Sequence, residues 1–262
     1  MERNETISVL VPTRSRTNTT HGNFPEKLIK SAEETSDDFD SIEFVFYIDD
    51  DDEESQEYFE NLDYKNVKFV CGKRIVLSEM WNQCYRTSTG EILFHCGDDI
   101  RFRTEGWDTV VRSKFLEYDD RVLFAFGDDG KRQPGSFGTH GFIHRTWADA
   151  VGYFVPPYFS CDYNDTWLND VARLVDRWFY IDIYTEHIHP RAWLDRDDHS
   201  LGKKYVWDKT HQERLERNKE DDNTDLYNRL WYRRLWDAKK LFMVIKKVKK
   251  SNWPTYLSIG HK

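Results

Sequence analysis

The stretch EILFHCGDDIRF, residues 91–102, is an apolar β-run that stops at Gly97, Asp98 and Asp99 and then turns polar and basic. A segment as apolar as ILFHC belongs in the middle of a sheet, covered on both faces. Two adjacent carboxylates fixed at the exit of such a strand repel each other unless a cation or a proton intervenes. A hard divalent ion, Mg²⁺ or Mn²⁺, resolves the conflict, because it takes one or two carboxylates and completes its shell with water and substrate phosphates. The spacing therefore points to a nucleotide-diphosphate site.

Working outward, ISVLVP (7–12) reads as a strand closed by Pro12 and followed by a polar, turn-rich loop, TRSRTNTTHGN. Helical spacing follows from Phe24 to about Thr35, and EFVFYI (43–48) is a strand ending in Asp49, Asp50, Asp51 and Asp52. A short helix carrying Tyr58 and Phe59, the strand VKFVC (67–71) and a helix over 75–87 lead back to Glu91. Beyond Asp99 come a helix around 107–117, the strand VLFAFG (122–127), the glycine-rich loop DDGKRQPGSFGTHG, a helix from about 165 to 177 and the strand WFYIDIY. This alternation predicts an α/β fold, a mostly parallel sheet with helices on both faces. Residues 1–200 form the expected body and 201–262 a basic helical extension.

Three strands thus end in acids, and ligands of open parallel sheets bind beyond the carboxyl ends of the strands. Asp also ends strands simply by starting turns. For Asp128 and Asp129, beside Gly130, turn chemistry is the preferred reading.

Composition excludes several classes. With 39% hydrophobic and 32% charged residues, the chain is that of a globular protein, and it has no run of about 18 apolar residues that could cross a bilayer. The start, MERNETISVL, lacks the basic and apolar regions of a signal peptide, so a cytoplasmic protein is expected. Cys71, Cys84, Cys96 and Cys161 stand apart, unlike a zinc knuckle or a disulfide framework. No phosphate-cradling GxxxxGK[ST] motif supports nucleotidyl or phosphoryl transfer. Net charge is −9 but segregated, since residues 226–262 carry ten Lys or Arg against Asp237 alone. That tail, NRLWYRRLWDAKKLFMVIKKVKK, could follow a phosphate backbone or lie on an anionic membrane, or simply pack on the core. Trp81, Trp107, Trp147, Trp167 and Trp193 fall near the expected crevice, where rings could stack on sugars or bases, although most Trp residues serve cores.

PTRSR after the first strand, YIDDDDEES after the second, TGEILFHCGDDIRF, and HGFIHRTWADAVGYF followed by an acidic segment together resemble the GT-A glycosyltransferases, especially glycosyltransferase family 2, over about residues 5–190. The small stand-alone members found in phage and bacterial genomes are the most similar. The resemblance implies a Rossmann-like GT-A fold and a metal-dependent, inverting transfer of a sugar, with a UDP-sugar as the expected donor. It places Pro12, Thr13 and Arg14 along the nucleotide, Asp50 at the base with Asp49 or Asp51 as alternatives, and Arg74 or Lys73 near the base or phosphates. Gly97-Asp98-Asp99 fills the family's DXD feature, departing from it at Gly97. Asp99 is then the metal contact and Asp98 the contact to ribose or sugar, with Mn²⁺ or Mg²⁺ as the ion.

The family's general base falls in SCDYNDTWLND, where Asp165 is favoured, Asp162 is the runner-up and Asp170 a further candidate. Against this stands a plain N-cap role for Asp165. His187 and His189 alternate in TEHIHP; the resemblance favours His189 as a further metal ligand, with His140 and His144 as weaker candidates. The acceptor implied is a hydroxyl, either of a hydroxymethylated pyrimidine in DNA held by the basic tail or of a glycan or protein. A non-catalytic nucleotide-sugar or nucleic-acid binding module is the remaining alternative.

Overall fold

The computed structural model describes residues 4–19, 22–188, 212, 213, 216 and 220–246. Its strands are β1 (Ile7–Thr13), β2 (Ile42–Asp49), β3 (Val67–Gly72), β4 (Ile92–His95), β5 (Ile100–Phe102), β6 (Phe124–Asp128), β7 (Gly141–His144) and β8 (Trp178–His187). The helices are α1 (Phe24–Thr35), α2 (Glu53–Glu60), α3 (Leu77–Thr87), α4 (Trp107–Leu116), α5 (Arg145–Val151), α6 (Asn164–Leu174), α7 (Asn223–Arg229) and α8 (Trp231–Lys246).

One eight-stranded sheet runs in the order β3-β2-β1-β4-β7-β6-β8-β5. β1, β2, β3 and β4 are mutually parallel, β6 pairs in parallel with β8, and β7 and β5 run against their neighbours. The apolar run that opened the reading is β4, fully buried in mid-sheet. β5 and β7 are the departures from the simple alternation. Both are short, three and four residues, too short to show a period.

Alternation along the strands builds two cores. Ile7, Val9 and Val11 of β1 face a layer made by α1, α2 and α4, whereas Leu10 faces α3, α5, α6 and α8. α1 begins where the Asn23 side chain accepts from Glu26 N and Pro25 sits in the first turn. Ala238 and Leu241 of α8 are completely buried in the second core, so this helix is packed on the body. No described helix is long and apolar enough to cross a membrane.

Four of the tryptophans expected near the crevice, Trp81, Trp107, Trp147 and Trp167, are buried. Trp107, Trp147 and Trp167 are at most 2% exposed, and Trp81 packs on His95 with its Nε1 donating to Cys96 O at 3.0 Å. Trp193 lies outside the described residues.

Candidate active site

Because β1, β2, β4, β6 and β8 all point one way, their carboxyl ends share one rim, and the antiparallel β7 begins there with His140 just before it. The acids of three strand ends are thereby gathered. Asp98 and Asp99 are 6% and 7% exposed at the exit of β4, and Asp129 is 5% exposed at the exit of β6.

Asp98 is committed to the first loop. Thr13 Oγ1 donates to its Oδ2 at 2.7 Å, and Arg16 Nη2 lies 3.6 Å from its Oδ1. Arg16 is 4% exposed, with its guanidinium 4.1 Å above the Phe24 ring, so it is a buried counter-charge and no surface-loop residue. Arg101 stacks near the same ring and donates to the carbonyls of Asp98 and Ile100; burial lowers its pKa to about 10.

Asp99 turns the other way. His187 Nε2 stands 3.5 Å from its Oδ2. A Cβ built on Gly97 would meet Asp99 Oδ1 at 2.6 Å. The glycine that breaks the DXD pattern is therefore the space into which Asp99 folds. His140 packs edge-on to His187 with ring centroids 4.7 Å apart; it is buried, and burial holds it well below the ordinary imidazole range. His144, by contrast, caps α5, its Nδ1 accepting from Thr146 N at 3.1 Å.

At the exit of β2, Arg14 binds both Asp49, at 2.8 Å, and Asp51. The hydrogen bond that Arg14 donates to Asp51 is the largest cause raising its pKa. Asp52 accepts from Ser15 N at 2.7 Å and caps α2. Asp50 is exposed, Pro12 is buried in β1, and Arg74 pairs with Glu213 at 2.5 Å while lying within electrostatic reach of Asp49 and Asp51.

The loop from Asp129 to His140 carries the acid cluster toward α6. Asn169 clamps it, exchanging hydrogen bonds with Gly138 N and O at 3.0 and 2.7 Å, and Arg173 holds Ser136 O. Asp165 is in the first turn of this helix, one residue past Asn164, and the N-cap is Tyr163. The capping alternative thus falls to Tyr163. Burial raises the Asp165 carboxyl above its ordinary range, partly offset by Thr166 N at 2.7 Å. Asp162 is half-buried beside it, and Asp170 is an anchor for the C-terminal helices, bound by Tyr227 and Arg234.

Two groups were missed in the sequence. Asp129 Oδ1 makes the turn bonds expected of it, accepting from Lys131 N and Arg132 N at 2.9 and 3.0 Å. Its Oδ2 is buried without a hydrogen-bond partner; burial pushes the carboxyl up, and His187, Thr139 and the turn amides pull it below the ordinary value. Lys131 is half-buried and within electrostatic reach of Asp129, Asp165 and Asp99, with burial lowering its pKa. It feels the charge of both Asp99, at the exit of β4, and Asp165 on α6. The only sequence signal was its place in a glycine-rich loop.

Asp99 and His187 form an oxygen and nitrogen pair of the kind that would hold a divalent ion such as Mn²⁺. Among the described residues no group of three His, Cys, Asp or Glu closes a metal cage. His189 lies outside the described residues.

No family model matches the sequence, and no curated protein matches it. Solved structures do. S. aureus TarS (residues 1–349) in complex with UDP-GlcNAc superposes with a TM-score of 0.53 at 13% identity, over 92% of this chain and 82% of that one. The mannosyltransferase PcManGT from Pyrobaculum calidifontis, in complex with GDP-Man and Mn²⁺, gives 0.52 at 12% identity over 98% and 79%. This chain has their fold. It is the GT-A type of Rossmann-like α/β architecture. In another S. aureus TarS structure, at TM-score 0.50 and 14% identity, the match takes in 71% of this chain and 37% of that one, so this chain spans little more than a third of it.

Proposed function

We propose that the protein is a metal-dependent, inverting glycosyltransferase that moves a sugar from a nucleotide-sugar donor, a UDP-sugar, to an acceptor hydroxyl. One observation carries the reading: Asp99, paired with His187, shares a rim with the Asp49–Asp52 cluster, and the loop from Asp129 to His140 on that rim is clamped by Asn169 to α6, the helix that carries Asp165. The nucleotide-sugar complexes of structures with the same fold support it.

In this reading Asp99 and His187 would hold Mn²⁺ or Mg²⁺, and the ion would supply positive charge against the departing diphosphate. Arg14 and Arg74 bring further cations to the nucleotide end, and Asp50 or Asp51 meets the base. Asp98, fixed by Thr13 and Arg16, faces ribose or sugar as a rigid acceptor. Asp165 takes the proton of the acceptor hydroxyl while that oxygen attacks the anomeric carbon from the face opposite the nucleotide, with Asp162 as the alternative base. A base with a raised pKa holds a proton better, which suits removal of one from a hydroxyl near neutral pH.

The experiment is release of UDP or GDP from a panel of nucleotide sugars with Mn²⁺, scored against hydroxymethylated DNA, plain DNA, oligosaccharides and a protein substrate. Donor-specific transfer that stops with a chelator and in Asp165→Asn is expected. Binding of a nucleotide sugar with no transfer to any acceptor would support a binding module instead, and transfer unaffected by Asp165→Asn or by chelation overturns this mechanism.

A further inference from the structure

The last described helix has two opposed faces. Ala238 and Leu241 are buried in the core, and Asp237 between them and the body accepts from Trp167 Nε1 at 3.0 Å and from the Tyr153 hydroxyl. On the far side, Tyr232, Trp236, Lys239 and Met243 follow one another at the spacing of a single helical stripe, and Lys246 continues it. Tyr232, Trp236 and Met243 are 49%, 45% and 48% exposed, with Trp231 beside them at 58%. Most of the large apolar side chains exposed among the described residues lie on this one helix. The body has no use for them.

We propose that this stripe is a docking surface for an anionic lipid bilayer, with α8 lying in the plane of the headgroups. Tyr and Trp are the side chains that favour the boundary between headgroups and acyl chains, because their rings are apolar and one edge is polar. Lys239 lies with its Nζ 4.6 Å from the Trp236 ring centroid, an ammonium beside an exposed ring that can reach back to lipid phosphate while the ring goes deeper. Charge segregation sets the orientation: the segment 226–262 is strongly cationic and residues 1–225 strongly anionic, so a negative surface attracts this end and repels the rest. The sequence beyond the helix continues in kind, with Lys247, Lys249, Lys250, Trp253 and Tyr256.

A nucleic-acid backbone fits the described face less well. Its affinity comes from cations laid on phosphates, yet Arg234 is engaged with Asp170 and the Tyr227 carbonyl, Lys240 with the Val151 carbonyl, and Arg229 with Asp225. What faces outward is dominated by large rings and a methionine. Because the opposite face is core, the helix lies on a membrane and does not enter it as a span. The proposal rests on no part of the transferase reading.

The test is flotation of the full chain with vesicles of phosphatidylcholine alone or mixed with phosphatidylglycerol, and in parallel a mobility shift with a DNA duplex at the same ionic strength. Binding to the mixed vesicles is expected, with a blue shift of tryptophan emission, about fivefold weaker in Lys239→Gln and at least ~10-fold weaker in Tyr232→Ser/Trp236→Ser. Circular dichroism confirms that the variants are folded; should the double variant unfold, Lys239→Gln and the lipid comparison still decide. The proposal is overturned if the chain ignores anionic vesicles, if it binds neutral ones equally well, if the folded variants bind like the parent, or if it binds the duplex and no vesicle.

Discussion

The two edges of the sheet treat buried carboxylates in opposite ways. At the amino edge, Glu43, the second residue of β2, accepts from Ser8 Oγ, Gly90 N, Thr89 N, Thr89 Oγ1 and Lys68. Burial pushes its carboxyl up, but these donors outweigh it and leave the pKa below the ordinary value. Gly90 is required there, since a Cβ would stand 2.3 Å from Ser8 Oγ and 2.7 Å from Thr6 O. At the carboxyl edge, burial pushes the Asp165 carboxyl up more than its donors pull it down, and Asp99 faces an imidazole. A carboxylate whose every lone pair is taken is a rivet, whereas one left short of donors is prepared for a ligand.

The contrast can be broken by experiment. The largest effect is expected from Asp165→Asn, roughly 10²- to 10⁴-fold in turnover, with donor affinity retained in a titration of the nucleotide sugar. The pH profile sharpens this. A carboxyl of raised pKa is ionised only above that value, so kcat/KM rises with pH through an inflection above the usual Asp value of about 3.9; an inflection at or below it contradicts the assignment.

Next comes the rivet. Glu43→Ala is expected to cost about 3 kcal/mol in urea unfolding, because it strands several buried donors, and to leave nucleotide affinity of the folded protein unchanged. The sign with pH follows from the lowered pKa. Stability from Glu43 is complete above its unfolded value, about 4.3, and is lost as pH falls through its lower folded value; Glu43→Gln should remove that part of the acid loss.

A smaller change belongs to Asp99→Asn, about 10- to 100-fold weaker Mn²⁺ activation, measured by titrating the metal against initial rate. Smallest, about tenfold in the same assay, is Gly97→Ala, whose methyl group must displace Asp99 Oδ1. Activation unchanged in Gly97→Ala would mean that Asp99 does not need the folded-back position.

Much of this rim was visible in the chain before folding. β4 announced itself by unbroken apolarity, and the strand-end acids by their place after β-runs. What sequence could not show was direction. Nothing in GFIH marks β7 as antiparallel, yet that reversal brings His140 to the rim. Asp129 looked like a turn residue because it is one; its second oxygen acquires meaning only when His187 arrives from β8, far along the chain. Asp50, the favoured base contact, emerges exposed, while its neighbours Asp49 and Asp51 hold Arg14, a distinction that a run of four identical residues cannot carry.

The reversed strand has one more consequence. Since β6 ends and β7 begins at the same rim, residues 129–140 form a loop whose two feet both stand on it, tied down midway to α6 by Asn169. Between these anchors its length and composition can change without shifting any strand register. Variation between those anchors is thus insulated from the sheet, while Asp129 and His140, its two feet, stay with the rim.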